Sequence, residues 1–343
     1  MGHTLKLDIY CFELKEILEP CEKIVKGGEK RKYHKTKDTI AKFSDVFSQI
    51  YSDKKREEYF RLFLQEFISS FNNAFTSNKS NTQAISITDN LYKSISSYNN
   101  VFSGEFIGGQ TGIDVDIYKT DNARTKKDTL DKDSVASLSY YYKIWLPLDS
   151  NTGIIMIQSY TTFSCNTLFK EKLENLFESK GYALRIAKIV PEQYIKEYMN
   201  LGYIYKILVL TKQKTPHSLT PNFTPFKKAK RRMLIDCISI PFRELFSRKD
   251  YIHAIASDIK QLYDDFDENN DELILYYKDE NGRKAHSKLC NIESMLPNYV
   301  LDDSLKDPKT QKPLFEDLDK FTNGLLEKLK KEIGYTPIIN ENI

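Results

Sequence analysis

Residues 138–160 read LSYYYKIWLPLDSNTGIIMIQSY, and their pattern decides the fold class. Two runs of aromatic and β-branched residues, Ser139–Leu146 and Gly153–Tyr160, flank Asp149-Ser150-Asn151-Thr152-Gly153, which has turn chemistry. The second run is apolar at odd and even positions alike. It therefore needs cover on both faces and belongs in the middle of a sheet. Beyond it, Leu168, Phe169, Leu173, Leu176 and Phe177 recur at spacings of three and four across about Ser164–Ser179. That is a helix with one apolar stripe, stopped by Gly181. Strand Ala183–Val190, a helix opened by Pro191 and strand Tyr203–Thr211 follow. The order β-β-α-β-α-β predicts an α+β fold: a mixed β-sheet with helices packed on it.

On the N-terminal side, Leu5, Leu7, Ile9 and Cys11 alternate with Lys6, Asp8 and Tyr10, as in a half-buried strand. A polar loop with Gly27 and Gly28 and a run of cations comes next. Phe60, Phe63, Leu64, Phe67, Ile68 and Phe71 then mark an amphipathic helix over about 54–75. Strand patterns cover Ala84–Thr88, Val101–Ile107 and Ile113–Tyr118, whereas Lys119–Ser134 lacks periodicity and reads as a charged loop. On the C-terminal side, Pro216, Pro221 and Pro225 punctuate a polar stretch. Leu234–Ile240 reads as a strand, and Pro241 opens a helix to about Phe266. Leu273–Lys278 and Arg283–Leu289 form a hairpin around Asp279-Glu280-Asn281-Gly282. A last helix spans about Leu314–Ile333. The expected domains are residues 1–212 (α+β), 213–232 (a basic, Pro-rich linker or excursion) and 233–343, an acidic C-terminal part made of helix, hairpin and helix.

The charge supports that division. Residues 241–343 hold 15 Lys or Arg against 21 Asp or Glu, and the remainder 36 against 27. A basic body with an acidic C-terminal part fits a polyanion on one side and a protein partner on the other, or two halves that attract each other. Five cysteines, odd in number and without a Cys-x-x-Cys pair, argue for buried thiols in a reducing compartment. No apolar run reaches the roughly 18 residues of a membrane span, and residues 1–18 are not a secretory leader. A cytoplasmic protein with no membrane partner is expected. The abundance of Lys, Asn, Ile, Tyr and Phe suggests an AT-rich bacterial genome, and with it an accessory or antiviral-defence gene of a mobile element.

Two basic tracts carry the leading functional expectation. Lys30, Arg31, Lys32 and Lys35 crowd around Tyr33 and His34. Lys227, Lys228, Lys230, Arg231 and Arg232 follow Phe223 and Phe226. Cations neutralise phosphates and aromatics stack on bases, so the pair suits a nucleic-acid groove; solvated lysine-rich loops fit the same residues. A non-catalytic interaction subunit is the alternative.

Weaker signals complete the reading. Arg248 and His253, spaced Arg-x4-His, resemble the minimal motif of HEPN ribonucleases. The resemblance implies metal-independent RNA cleavage, with these residues polarising the phosphate and moving protons. His286-Ser287-Lys288 with Glu293 is similar to the His-Lys-Asp motif of phospholipase D-type phosphodiesterases, which would make His286 a nucleophile. Asp114 and Asp116, at i and i+2, share one strand face and can hold a metal or serve as acid and base, unless that face is simply solvated. Gln158, Ser159, Thr161 and Thr162 sit where a central strand passes into a helix, a place that favours ligands in open sheets; there the bland alternative is a helix cap at Ser164. No Gly-rich phosphate loop, Gly-x-Ser-x-Gly elbow or His-Glu-x-x-His occurs, and no cofactor is expected.

Overall fold

The computed structural model describes residues 3–24, 30–71, 73–87, 92–96, 99–120, 122–194, 203–212, 230–241, 257, 259–261, 272–278, 284–288 and 299–336. The chain forms two units, residues 1–189 with 298–343, and residues 190–297.

The first unit is built on strands β1 (Leu5–Ile24), β6 (Val101–Gln110), β9 (Ala136–Trp145), β10 (Thr152–Tyr160) and β11 (Tyr182–Ile189). Short strands β3 (Thr76–Ser77) and β4 (Gln83–Ser86) extend it, giving the order β11-β1-β10-β9-β6-β4-β3. Strand β5 (Tyr92–Ser96) pairs along β6 beside β4. As its two-faced apolarity demands, β10 lies inside the sheet between β1 and β9. The fold is α+β, as expected. The sheet differs from the expected mixed one: every strand pairing among the described residues is antiparallel. The crossover from β10 through helix α3 (Asn166–Glu178) does make β11 parallel to β10. Between them, however, lies β1, antiparallel to both. A local β-α-β pattern cannot reveal that an N-terminal strand fills the gap.

Helices cover both faces. Alternation along β6 and β9 sends Phe102, Phe106 and Tyr142 to one face and Tyr141, Lys143 and Trp145 to the other. The first face meets α2 (Arg56–Ser69) and α3: Phe60 and Phe67 pack on Phe102, and Phe169 on Phe106. A short helix, α1 (Phe43–Ile50), adds Phe43 against Phe12. Its apolar residues recur at i, i+3, i+4 and i+7, but the surrounding polar sequence hid it. The second face is covered by α4 (Phe315–Glu332), whose Phe315 packs on Tyr141, while Tyr335 just beyond packs on Trp145.

Strand β1 outruns its sheet. On one side it pairs in tandem with β10 (to Glu13) and then with β2 (Lys30–Ala41), which accompanies it to Ile24. On the other side β11 stops at Glu16. Past Ile17, β1 and β2 thus continue as a two-stranded ribbon of six residue pairs, roughly 20 Å long. The core ends where the ribbon begins: Leu14 is fully buried and Leu18 is 55% exposed. The run of cations expected in a loop lies instead on β2. A second ribbon, β7 (Val115–Lys119) with β8 (Asn122–Leu130), replaces the loop expected over 119–134. A two-stranded ribbon has no buried face to impose alternation, so its sequence looks aperiodic.

The second unit contains the four-stranded antiparallel sheet β13-β12-β14-β15, from β12 (Tyr203–Lys212), β13 (Lys230–Pro241), β14 (Glu272–Lys278) and β15 (Lys284–Lys288). The hairpin read around residues 279–282 forms, with Lys278 opposite Lys284. Strand β14 buries alternate residues, including Leu273, Leu275 and Tyr277.

This division runs differently from the one expected. Tyr203–Lys212 pairs with β13 and β14, and the last helix packs with the N-terminal residues. The acidic C-terminal part is therefore not a unit. Residues 190–297 hold 17 Lys or Arg against 15 Asp or Glu, and the first unit 34 against 33. The connection explains why. Strand β11 ends with Ile189 opposite Ile9, and β16 (Tyr299–Val300) resumes with Tyr299 opposite Leu7 along the same edge of β1. Only the place opposite Asp8 separates them. The second unit is an insertion into a single strand.

Candidate nucleic-acid interface

The ribbon of β1 and β2 carries the first basic tract. Lys30, Arg31 and Lys32 open β2 and stand opposite Ile24, Lys23 and Glu22; Lys35 stands opposite Glu19. Residues 18–37 contain seven Lys or Arg and three Glu. At the root, His34 Nε2 donates to Glu178 Oε1 of α3 at 2.5 Å, tying the ribbon to the body. Lys35 Nζ reaches Glu19 at 3.3 Å, and Lys37 pairs with Glu16. Both partners of the Lys35 pair are more than 60% exposed, so the pair is worth at most about 1 kcal/mol. A phosphate can displace such a carboxylate.

The second tract has the same place in its own hairpin. Lys230, Arg231 and Arg232 open β13, opposite Lys212, Thr211 and Leu210, and β13 lies at the end of its sheet's strand order. Charges on an edge strand also discourage edge-to-edge pairing. Lys227 and Lys228 lie outside the described residues, as do Arg248, His253 and Glu293. His286 lies on β15 opposite Tyr276.

The residues at the end of β10 are not brought together. Ser159 is buried and its Oγ donates to Asp8 Oδ2 at 3.4 Å. Gln158 faces the other side of the sheet, fully buried, its Oε1 accepting from the Tyr141 amide at 3.2 Å. Thr161 and Thr162 are exposed, and Thr161 Oγ1 donates to the Thr4 carbonyl. Around Ser159 protein groups fill the crevice. Asn166 Nδ2, at the start of α3, donates to Asp8 Oδ2 at 2.5 Å, and Lys188 Nζ reaches Asp8 Oδ1 at 3.3 Å. Lys170 Nζ stands 4.2 Å from the Tyr10 ring centre. Burial, reinforced by the Asp8 charge, raises the Tyr10 hydroxyl pKa, so Tyr10 stays neutral.

Asp114 and Asp116 are both exposed and are held within the second ribbon. Asp114 Oδ1 accepts from the Lys132 amide at 2.7 Å, and Asp116 Oδ1 from Lys126 Nζ and Thr129 Oγ1 at 3.2 and 3.1 Å. Among the described residues no group of three or more His, Cys, Asp or Glu gathers to hold a metal ion. Nor, among them, is any helix long and apolar enough to cross a membrane. No known protein family, curated protein or solved structure matches the chain.

One buried polar cluster escaped the sequence reading. Lys143, 1% exposed, points into the interface between sheet and α4. Its Nζ contacts Asp319 Oδ1 at 3.1 Å and Asn323 Oδ1 at 2.5 Å. Ser103 Oγ and Tyr141 OH donate to the same Asp319 oxygen at 2.5 and 2.8 Å. Burial pulls the Lys143 pKa down. Burial pushes Asp319 up, but the Ser103 hydrogen bond, the Lys143 charge and the Tyr141 hydrogen bond together hold it below the usual carboxylate value. The cluster fastens α4 to the sheet. Its signal was a single lysine inside the aromatic run Tyr140-Tyr141-Tyr142-Lys143-Ile144-Trp145. The corresponding signal for Asp8 was weaker, since alternation alone gave it to a polar face.

Proposed function

We propose that this protein binds nucleic acid through its basic β-ribbon, with the tract opening β13 as a second contact. The single observation that carries this reading is that Lys30, Arg31, Lys32 and Lys35 lie on a two-stranded ribbon extending past the core. The major groove of B-DNA, about 12 Å wide, admits a two-stranded β-ribbon, and cations along it displace condensed counterions. Such a ribbon approaches a polyanion without distorting the sheet behind it. The Lys35–Glu19 pair across the ribbon is exposed on both sides, so a phosphate competes with that carboxylate on favourable terms.

Binding to a labelled DNA duplex and to single-stranded RNA, measured by fluorescence anisotropy across a salt series, tests the proposal. Wild type is expected to weaken linearly in log–log form. The triple variant Lys30→Gln, Arg31→Gln, Lys32→Gln should lower the duplex slope by about 2 to 3, at roughly 0.9 for each phosphate no longer neutralised. Wild type that ignores salt, or a variant with an unchanged slope, overturns it.

A further inference from the structure

The second ribbon holds a feature that folding does not explain. Strands β7 and β8 lie outside both larger sheets and pair only with each other among the described residues. No residue of 113–130 whose exposure is described is buried, yet Ile113 and Tyr118 are 65% and 47% exposed. An isolated two-stranded ribbon gains nothing from presenting an aromatic ring to water.

Charge is unevenly spread along it. Residues 119–127 hold four Lys or Arg and one Asp in the sequence, whereas Asp114, Asp116, Asp128, Asp131 and Asp133 lie toward the root. Tyr118 belongs to the basic end. It is adjacent to Lys119 and stands opposite Lys126 in the register. Among the described residues Lys126 pairs with Asp116, at 3.2 Å, with both side chains about half exposed. Such a pair is easily exchanged for a phosphate.

We infer that the tip of this ribbon is a base-stacking finger for single-stranded nucleic acid, with Tyr118 as the stacking platform and Lys126, on the same face, taking a flanking phosphate. An aromatic face beside exposed cations matches a splayed-out base and its backbone; a paired base in a duplex offers no face to it. The net positive tip favours this occupant over an apolar protein surface. The inference rests on the nucleic-acid reading above but concerns a different element and a different strand state.

The test uses the full-length chain with a 15-nucleotide oligo-dT and a mixed-sequence duplex. Tyr118→Trp places an indole at the tip, and the sole native tryptophan, Trp145, is buried and contributes a constant background. Saturable quenching of the new indole by oligo-dT is expected. Tyr118→Ala should weaken oligo-dT binding about five- to a hundredfold, with Tyr118→Phe close to wild type and duplex affinity unchanged. If Tyr118→Ala leaves oligo-dT affinity intact while the β2 triple variant still loses its salt slope, the finger is refuted and the basic ribbon stands. If wild type binds neither polymer, both fall. A loss equal for duplex and oligo-dT also refutes stacking.

Discussion

Lys143, buried, and Asp319, part-buried, form a pair whose partners depend on each other. Asp319→Asn leaves a cation in the sheet–helix interface without its counter-charge, a loss expected to cost about 3 kcal/mol. Lys143→Met combined with Asp319→Leu should recover more than half of that, because neither charge is then buried alone. Urea unfolding followed by Trp145 fluorescence reads both, since this single tryptophan lies in the same unit. The pair also sets an acid limb. The Asp319 carboxyl is held below its ordinary value of 3.8, so its contribution is complete above about that pH and is lost as pH falls through the lower folded value. Acid unfolding of Asp319→Asn should lack this component; an identical acid slope in wild type and variant would contradict the assignment. Two glycines give opposite expectations. A Cβ on Gly153 would stand 2.3 Å from the Phe12 ring, which is fully buried and cannot yield. Gly153→Ala should destabilise by about 2 kcal/mol through overpacking. On Gly324, inside α4, a Cβ meets nothing within 4 Å, so Gly324→Ala should stabilise by about 0.5–1 kcal/mol.

At the scale of elements, the ribbon of β1 and β2 is separable from what it extends. Among the described side chains its link to the body beyond Ile17 is His34 with Glu178, 20% and 43% exposed, a pair worth on the order of 1 kcal/mol. Replacing residues 19–35 by an Asn-Gly turn should therefore shift the melting temperature by no more than about 2 °C, while removing the salt-dependent binding proposed for it. A much larger drop would mean that the ribbon belongs to the core. The position of Pro20 in β1 agrees with this separability. Proline gives no ladder hydrogen bond and is tolerated in a strand paired on one side, as β1 is there among the described residues. Helix α4 behaves oppositely, because Leu318, Leu325, Leu326 and Leu329 are all buried against the sheet. Losing it would strip one face of the sheet and uncover Lys143.

For the whole molecule, the interrupted strand makes a direct prediction. Deleting residues 191–298 joins Val190 to Tyr299, which places Val190 opposite Asp8 and preserves the register of Ile189 with Ile9 and of Tyr299 with Leu7. Alternation is preserved too, so the shortened chain should fold with Trp145 still buried, seen as an unshifted emission maximum. A red-shifted, uncooperative chain would show that the inserted unit is needed for the first to fold. Much of the architecture was legible along the chain. The two-faced apolarity of 153–160 placed β10 centrally, and the stripes of α2, α3 and α4 and the turn at 279–282 were readable because face preference and turn chemistry are local properties. Lys143, Asp8 and the paired ribbons were not legible, since a charge in a strand looks alike whether water or a helix lies above it. The sequence alone therefore determined which segments become strands or helices and which faces seek cover, through side-chain periodicity and turn residues. Only the tertiary structure decided that β1 separates β10 from β11, that Lys143 meets Asp319, and that β11 and β16 are one strand. Strand partners are chosen by backbone hydrogen bonds and packing between distant segments, and no local pattern records that choice.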